Sequence, residues 1–248
     1  MIAPPSASPL AGTLRFIRYA FMPNRLQYCG GDDNRTLLQY ATAGATDPDL
    51  TPMLRRFTGA MPYLELIARA NGIADPFDAR VVEAYWIGNG LLEKVEVRQL
   101  YDDMVARFGS RLTGRMREIV LGKAPAGARP HHTFHVLDIH SRVGELAHSM
   151  ETLDGCRVSS ARVVTAEGAE LIVDRSPLEL REGKLVVGAP RRERVLRQVE
   201  GQGFADTAAV GDLVSLHWGW VCEVLSEAQR ASLERWTEHH LAIANQTT

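Results

Sequence analysis

The sequence predicts an α+β fold, with a helical domain at the front and a small β-rich domain with a C-terminal helix behind it. From Leu14 to about Gly122, apolar residues recur at three- and four-residue spacing, as in PYLELIARANG and VRQLYDDMVARFG. From Cys156 onward, short β-type runs such as AELIVD and KLVVG are separated by turn signals, which favours a small barrel or sandwich. Ser226 then opens SEAQ, a Ser-x-x-Gln capping box that begins a terminal helix.

These patterns divide the chain into four parts. Residues 1–12 are rich in Pro, Ala and Ser and are typical of a loose leader. Residues 13–125 form the helical domain, and 126–152 form a connector with a His-rich segment that could be a short strand followed by a helix. Residues 153–248 hold the β-rich unit and the C-terminal helix. Asp75, Asp78 and Glu83 are explained best as turn, cap and helix residues.

Composition excludes several classes of function. The 248 residues carry a formal net charge of −2 and have no dense basic block outside RRERVLRQ, so neither nucleic acid nor an anionic membrane is an expected partner. Three widely spaced cysteines and the absence of a signal-peptide pattern predict reduced thiols and a cytoplasmic location. Nucleotide-binding glycine loops and the GxSxG motif are absent.

The run GDLVSLHWGWVCEVL places one histidine among small and aromatic residues. Alternation along a single strand would put His217, Gly219 and Glu223 on a mixed face, opposite a wholly apolar one. Gly219 would leave open space beside His217, and an accessible neutral imidazole can ligate a metal or accept a proton. The alternative is a barrel-surface histidine that is hydrogen-bonded to a neighbour.

The longer run VGDLVSLHWGWVCEVLSEAQRASLERW resembles the signature of the HypC-type hydrogenase maturation chaperones. That signature is a Gly-Asp/Gln-x-Val-x-x-His-x-Gly-aromatic strand followed by an acidic, alanine-rich helix. The matching positions are Gly211, Asp212, Val214, His217, Gly219 and Trp220. Upstream, Cys156-Arg-Val-Ser-Ser-Ala-Arg-Val-Val is similar to the Cys-x-x-x-Pro-Gly-Lys-Val-Val start of those chaperones, although Ser160 and Ala161 replace Pro-Gly and the cysteine is internal here.

This resemblance implies a small OB-type β-barrel and a functional pair formed by Cys156 and His217. It further implies that the pair binds iron, either alone or as an iron–cyanide–carbonyl unit, and that the partner is the [NiFe]-hydrogenase large subunit or another maturation protein. A thiolate with an imidazole suits such iron, and two protein ligands suit a carrier that must release its cargo. Arg157 and Arg162 are candidates for lowering the pKa of the Cys156 thiol.

The N-terminal half is similar to an uncharacterised family associated with actinobacterial [NiFe]-hydrogenase gene clusters. The similarity lies in RYAFMPNRLQYCGGDDNRTLLQY and NGIADPFDARVVEAYWIGNGLL. Both halves therefore point to an accessory or chaperone protein in hydrogenase maturation, and this role is favoured over an enzyme.

Two further groups are candidate metal ligands. HHTFHVLDIH holds His131, His132, His135 and His140; His131 and His135 would share a face of a strand, and on a helix His132 could join them. In YCGGDDN, Cys29 precedes a predicted helix start, where the helix dipole would lower the pKa of its thiol. The alternatives are solvated or hydrogen-bonded histidines, and a turn followed by an aspartate cap. His239 and His240 are expected on a solvated tail.

Two other functions compete with the chaperone. The first is a metal-dependent enzyme whose site is built from His131, His132 and His135, with Cys29, in the helical half. The second is a metal-free interaction module that keeps the barrel only for docking.

Overall fold

The computed structural model describes residues 10–143 and 149–247, and it has the mixed α and β composition that the sequence predicts. Seven helices precede residue 125 in the described chain. They are α1 (Gly12–Arg25), α2 (Asn34–Ala43), α3 (Leu50–Leu54), α4 (Met61–Ala70), α5 (Ala79–Trp86), α6 (Val97–Phe108) and α7 (Gly114–Gly122). Asp78 caps α5 by accepting a hydrogen bond from the Arg80 backbone N–H, as the sequence predicts. The expected leader lies outside the described residues up to residue 9, and Gly12 already begins α1.

The His-rich segment is helical and buried, so the short strand expected there is not found in the described residues. It consists of α8 (His132–Phe134), a π-helical segment (His135–His140) and α9 (Ser141–Val143), and α10 (Met150–Cys156) follows. Residues 144–148 of the expected connector lie outside the described residues. Lys123 and Asp138 form a buried ion pair at 2.8 Å, which ties the π-helical segment to the end of α7.

Nine strands follow in the described part of the chain, and five of them form one sheet. The strands are β1 (Ser159–Glu167), β2 (Glu170–Arg175), β3 (Leu178–Arg181), β4 (Lys184–Val187), β5 (Arg191–Leu196), β6 (Gln198–Val199), β7 (Gln202–Gly203), β8 (Leu213–His217) and β9 (Trp220–Val224). The five-stranded sheet has the order β1-β2-β5-β9-β8, and β8 also pairs with β1, so the sheet closes on itself. Its interior is small and apolar, with Val163, Val173 and Val214 at its centre. Helix α11 (Glu227–Ala244) begins at the predicted Ser226 capping box.

The histidine-containing run is a hairpin rather than one strand, so the expected alternation was wrong. Trp218 and Gly219 have φ of 55° and 68° and form a two-residue turn in which His217 pairs with Trp220. The two strands then place Ser215 and Glu223 side by side, and both are buried beneath α1. His217 is only 2% exposed, so the expectation of an accessible imidazole was also wrong. The cause is that the helical half covers this face of the hairpin.

One hydrophobic core runs through both halves of the chain. The Phe21 ring of α1 lies 5.1 Å from the Trp220 ring of β9 and 5.5 Å from that of Phe204. On the other side, Trp236 of α11 packs against the backbone of Gly88, which follows α5. These contacts fix the position of the sheet and of α11 relative to the helices. No helix in the described ranges has the length and apolar character needed to cross a membrane.

His239 and His240 do not lie on a solvated tail. His240 is fully buried and its ring stacks on that of His131 at 5.5 Å. Its Nδ1–H donates to the Trp236 carbonyl at 2.8 Å, while Nε2 accepts from the backbone N–H of Arg129 at 3.2 Å. Burial lowers the pKa of His240 well below its ordinary value, and the nearby His131 and His239 act in the same direction. Only the neutral ring can make both hydrogen bonds.

Substitution of Gly88 by Ala tests the packing of α11 on the helical half. Gly88 has a φ of +93°, and an added Cβ would collide with the Trp236 indole, so G88A is expected to lower the free energy of unfolding by about 2–4 kcal/mol. Gly90 is the matched control, because a methyl group added there would meet no neighbour within 4 Å, and G90A should change the same free energy by less than about 0.5 kcal/mol. Urea unfolding followed by circular dichroism measures both, and equal effects would contradict this packing.

A second prediction concerns acid stability. Because the pKa of His240 is lower in the folded chain than in the unfolded one, its stabilising contribution is present above about pH 6.5 and is lost as the pH falls. The stability difference between the wild type and H240Q should therefore shrink by roughly 2 kcal/mol between pH 7 and pH 5. His239, a half-buried neighbour on the same helix, supplies the control variant H239Q. Parallel pH profiles for the wild type and H240Q would contradict a neutral buried His240.

Candidate metal centre

Three side chains from three different elements meet where the helical half covers the β8–β9 hairpin. His132 starts α8, Cys156 ends α10, and His217 ends β8. One potential ligand atom from each residue lies within 4.8 Å of the others. The structure thus brings Cys156 and His217 together, as the HypC resemblance implies, and it adds His132 to them.

His217 is oriented by helix α1. Its Nδ1 lies 2.7 Å from the Tyr19 carbonyl oxygen, which can only accept, so Nδ1 carries the proton. In an uninterrupted helix that carbonyl would accept the N–H of the residue four positions later, but this residue is Pro23, which has none. The carbonyl is therefore left free for the imidazole. Nε2 of His217 is buried, has no partner at hydrogen-bond distance in the described chain and keeps its lone pair, while the Cys156 backbone carbonyl lies near the ring.

His132 is held in the same manner. Its Nε2 lies 2.9 Å from the Cys156 carbonyl oxygen and must donate to it, which leaves the lone pair on Nδ1. The Tyr85 hydroxyl lies 3.1 Å from Nδ1 and supplies a proton to it. A metal ion would compete with this hydroxyl for the lone pair. Both imidazoles thus donate one N–H to a backbone carbonyl, which is the usual support of metal-binding histidines.

Cys156 is brought to the site by a close approach of two backbones. The Trp218 N–H donates to the Gly155 carbonyl at 2.8 Å, and a Cβ on Gly155 would lie 2.9 Å from the Trp218 ring. The absence of a side chain at position 155 therefore allows α10 to end against the hairpin turn. This contact places the thiol of the next residue beside His217.

The uncharged forms of the three ligands dominate at neutral pH. Burial lowers the pKa of His217 to about 4 and that of His132 well below its ordinary value, so both rings are neutral. Burial raises the pKa of the Cys156 thiol to about 12; the nearby Cys29 adds to the shift, and the Trp218 side chain opposes it. A bound metal ion would therefore displace the thiol proton on binding.

Arg157 and Arg162 do not assist this deprotonation, contrary to expectation. Arg157 donates to Asp154 and to the Ser176 carbonyl, at 3.2 and 2.8 Å. Arg162 donates to the Gly211 carbonyl at 2.8 Å and lies near Glu227. Both guanidinium groups are engaged by these partners, so neither is available to lower the pKa of the Cys156 thiol.

The three ligands border a cavity of about 750 Å³ between the helices and the hairpin. The parts of its wall are distant from one another in the sequence: Cys29 follows α1, Arg107 lies at the end of α6, and Trp218 lies in the hairpin turn. Its volume is within the range of small-molecule sites. A metal ion held by His132, Cys156 and His217 would therefore have room for an exogenous ligand.

The other candidate histidines do not join the three ligands, although the His135 ring lies 6.2 Å from the His132 ring. His131 turns away to stack on His240, and its Nδ1 accepts the Thr133 backbone N–H, so it does not join His132. His135 and His140 line the cavity, with ring centroids 5.8 Å apart. The expected convergence of His131 with His135 was wrong because α8 is only three residues long before the π-helical segment changes the spacing.

Cys29 also lines the cavity, but its chemistry differs from the expectation. The residue lies in the loop between α1 and α2 and is exposed as a whole, although nearby protein atoms reduce the hydration of its thiol. Loss of hydration raises the pKa of this thiol to about 12. The predicted lowering was wrong because α2 begins only at Asn34, so no helix N-terminus in the described chain reaches the sulfur.

The groups that orient the ligands were not predicted from the sequence. Tyr19 and Tyr85 hold the imidazoles, and the Trp86 ring lies 4.4 Å from His132 and 5.5 Å from His217. Pro23 was the available signal, since a proline inside the helical pattern FMPNR predicts a free carbonyl one turn earlier. Nothing in the local pattern indicates which residue that carbonyl meets.

The donor set of the site is two imidazoles and one thiol. Such a set suits zinc, iron or copper rather than calcium or magnesium, which prefer oxygen ligands. Comparison with curated proteins and with solved structures finds no match for this chain. A family model, described as a family of unknown function (DUF6390), matches residues 8–248. Because that match spans nearly the entire sequence, the chain belongs to the DUF6390 family.

Proposed function

We propose that this protein is a metal-binding accessory protein of [NiFe]-hydrogenase maturation that holds iron through His132, Cys156 and His217. The observation that carries the proposal is the meeting of Cys156 and His217, which the HypC resemblance pairs, at one buried point next to a cavity. The third ligand, His132, comes from the connector that precedes the HypC-like part of the chain. The site would thus combine one ligand from the connector with two ligands from the HypC-like part of the chain.

The closed five-stranded sheet and α11 correspond, in this proposal, to the HypC-like OB-type barrel and its following helix. Three features support this assignment. The β8–β9 hairpin carries the matching residues, Gly219 has the positive φ that a two-residue turn requires, and the capping box at Ser226 starts the helix directly after the hairpin. The interior of the closed sheet is small and filled with apolar side chains. The metal ligands therefore lie outside it, beside the end of β8.

The chemistry of the three ligands favours a carrier. A thiolate and two imidazoles supply soft and borderline donors, and they leave coordination positions that diatomic ligands or the thiols of a partner could occupy. The cavity next to them supplies space for such ligands. A partner, proposed to be the immature large subunit or another maturation protein, would then receive the iron unit by ligand exchange. We place this step in the cytoplasm, where the three free cysteines remain reduced.

A metal-dependent enzyme is the second candidate. The cavity of about 750 Å³ favours it, because this is more space than the release of one metal unit needs. The ligands would then be His132, Cys156 and His217, since His131 lies elsewhere. The third candidate, a metal-free interaction module, would use none of these side chains.

Anaerobic titration with ferrous iron or cobalt(II) separates the two metal-binding candidates from the metal-free module. We expect one metal ion per chain, with the affinity lowered by about 100-fold or more in H132A, C156S and H217A, because even outer-shell changes at metal sites cost 10–100-fold. C29S and H239A are the controls and should bind as the wild type does. Tight binding in all three ligand variants would contradict the site, and no binding in the wild type would favour the metal-free module.

The setting in hydrogenase maturation needs its own test. Protein isolated from its native host should carry iron with infrared bands of cyanide and carbon monoxide, together with a hydrogenase subunit or maturation protein. Both should be lost in the C156S and H217A variants. Metal without these bands, combined with turnover of a small molecule, would favour the enzyme.

Replacement of Pro23 tests the support of His217. In P23A the new N–H can bond the Tyr19 carbonyl and compete with the imidazole, so metal affinity should fall by about tenfold, as for other outer-shell changes. The free energy of unfolding should stay equal or rise, since a helix-interior proline is removed. Pro62, in the first turn of α4, supplies the control P62A, which should leave the affinity unchanged. Unaltered affinity in P23A would contradict the proposed role of the free carbonyl.

A further inference from the structure

The charges around the cavity are strongly one-sided. Three arginines, Arg56, Arg107 and Arg111, border it, whereas no aspartate or glutamate is found among the described residues that line it. The metal ligands carry too little negative charge to balance these arginines and a divalent metal ion. One thiolate and two neutral imidazoles around a divalent cation leave one net positive charge.

The three arginines differ in how far they are neutralised. Arg56 lies 2.6 Å from Asp33 and Arg107 lies 3.2 Å from Asp103, so each has one carboxylate partner that is not part of the cavity lining. Arg107 is further fixed by the Tyr63 ring, whose centroid lies 4.4 Å from the guanidinium carbon. Arg111, on the exposed rim just after α6, makes no ion pair with any carboxylate of the described chain. The cavity therefore keeps an excess of positive charge after these ion pairs are counted.

We propose that the cavity binds a small anion, which takes an open position on the metal ion and is held from the other side by Arg107 and Arg111. This inference rests on the proposed metal site and names the chemical class of its exogenous ligand. An anion would neutralise the charge that the three protein ligands leave on a divalent metal, and guanidinium groups supply directed N–H donors to it. Arg107 is largely shielded from bulk water, so its interaction with the anion is stronger than at an open surface, whereas Arg111 acts from the exposed rim.

A cationic or amide-rich ligand fits the same space less well. The described lining supplies cationic donors at the helical side and a metal position at the hairpin side, and it offers no carboxylate to accept the N–H groups of a cationic or amide-rich molecule. The size of the anion is bounded by the cavity of about 750 Å³, so inorganic anions and small carboxylates both fit.

Azide binding to the cobalt(II)-loaded full chain tests the proposal. Cobalt absorption in the visible range reports ligand exchange at the metal, and the titration is run at constant ionic strength with perchlorate as the balancing salt. We expect a saturable spectral change for the wild type, weakened about tenfold in R111A and partly restored in R111K, since a hydrogen bond to a charged group is lost and then replaced. R107Q should weaken azide binding similarly. R117A, an exposed arginine of α7 outside the cavity, is the control and should leave it unchanged.

The outcomes separate this inference from the metal site itself. If cobalt binds and azide causes no saturable change, or if R111A and R107Q bind azide as the wild type does, the anion site is overturned and the metal centre stands. If cobalt does not bind the wild type at all, both proposals are overturned. Circular dichroism of each variant confirms that the helices and strands are retained.

Discussion

The hydrogen bond from the His217 imidazole to the Tyr19 carbonyl joins the two halves of this protein at the candidate site. It exists because Pro23 removes the helical partner of that carbonyl, and it fixes which nitrogen of the ring faces the other ligands. The same tyrosine binds the hairpin through its hydroxyl, which donates to Glu223 at 2.7 Å and lies 2.9 Å from the Ser215 hydroxyl. Arg15 completes this contact at 3.3 Å from Glu223. Helix α1 therefore sets both the position and the tautomer of His217.

The buried polar groups of this site lower the stability of the folded chain. A buried ring nitrogen without a partner destabilises the folded chain by about 1–3 kcal/mol, and Nε2 of His217 is such a group. Nε2 of His131 and Nδ1 of His135 are also buried without a partner in the described chain, so it is the position of His217 beside Cys156 that points to a metal ion. Burial also keeps the Cys156 thiol protonated and the imidazoles neutral. In these uncharged forms the imidazoles can bind a metal ion directly, and the thiol can bind one by losing its proton. A metal ion would bind the lone pair of His217 Nε2, and it would replace the Tyr85 hydroxyl at Nδ1 of His132 and the proton of the Cys156 thiol.

Local signals in the sequence predicted the local features well. Asp78 and Ser226 cap helices where their spacing indicates, and the α+β division follows from the change in hydrophobic period. The juxtaposition of Cys156 and His217 was predicted by the family resemblance and not by spacing. The hairpin turn at Trp218 and Gly219 was missed because a residue with a positive φ next to glycine leaves no mark in the apolar pattern.

The remaining features depend on contacts between distant segments. Which of two adjacent histidines joins the site is decided by the short α8 helix and by the stacking of His131 on His240, which lie 109 positions apart in the sequence (240 − 131). The pKa of the Cys29 thiol follows the burial of its sulfur rather than the neighbouring helix. Neither the choice of histidine nor the pKa of the Cys29 thiol can be predicted from one segment of the sequence.

X-ray absorption spectroscopy of the metal-loaded full chain tests the three-ligand centre most directly, because it identifies the atoms bound to the metal. The structure predicts a first shell with one sulfur and two imidazole nitrogens, the sulfur being lost in C156S and one imidazole in H132A or H217A. A shell made only of oxygen and nitrogen in the wild-type protein, or a sulfur that persists in C156S, would contradict a centre built from His132, Cys156 and His217.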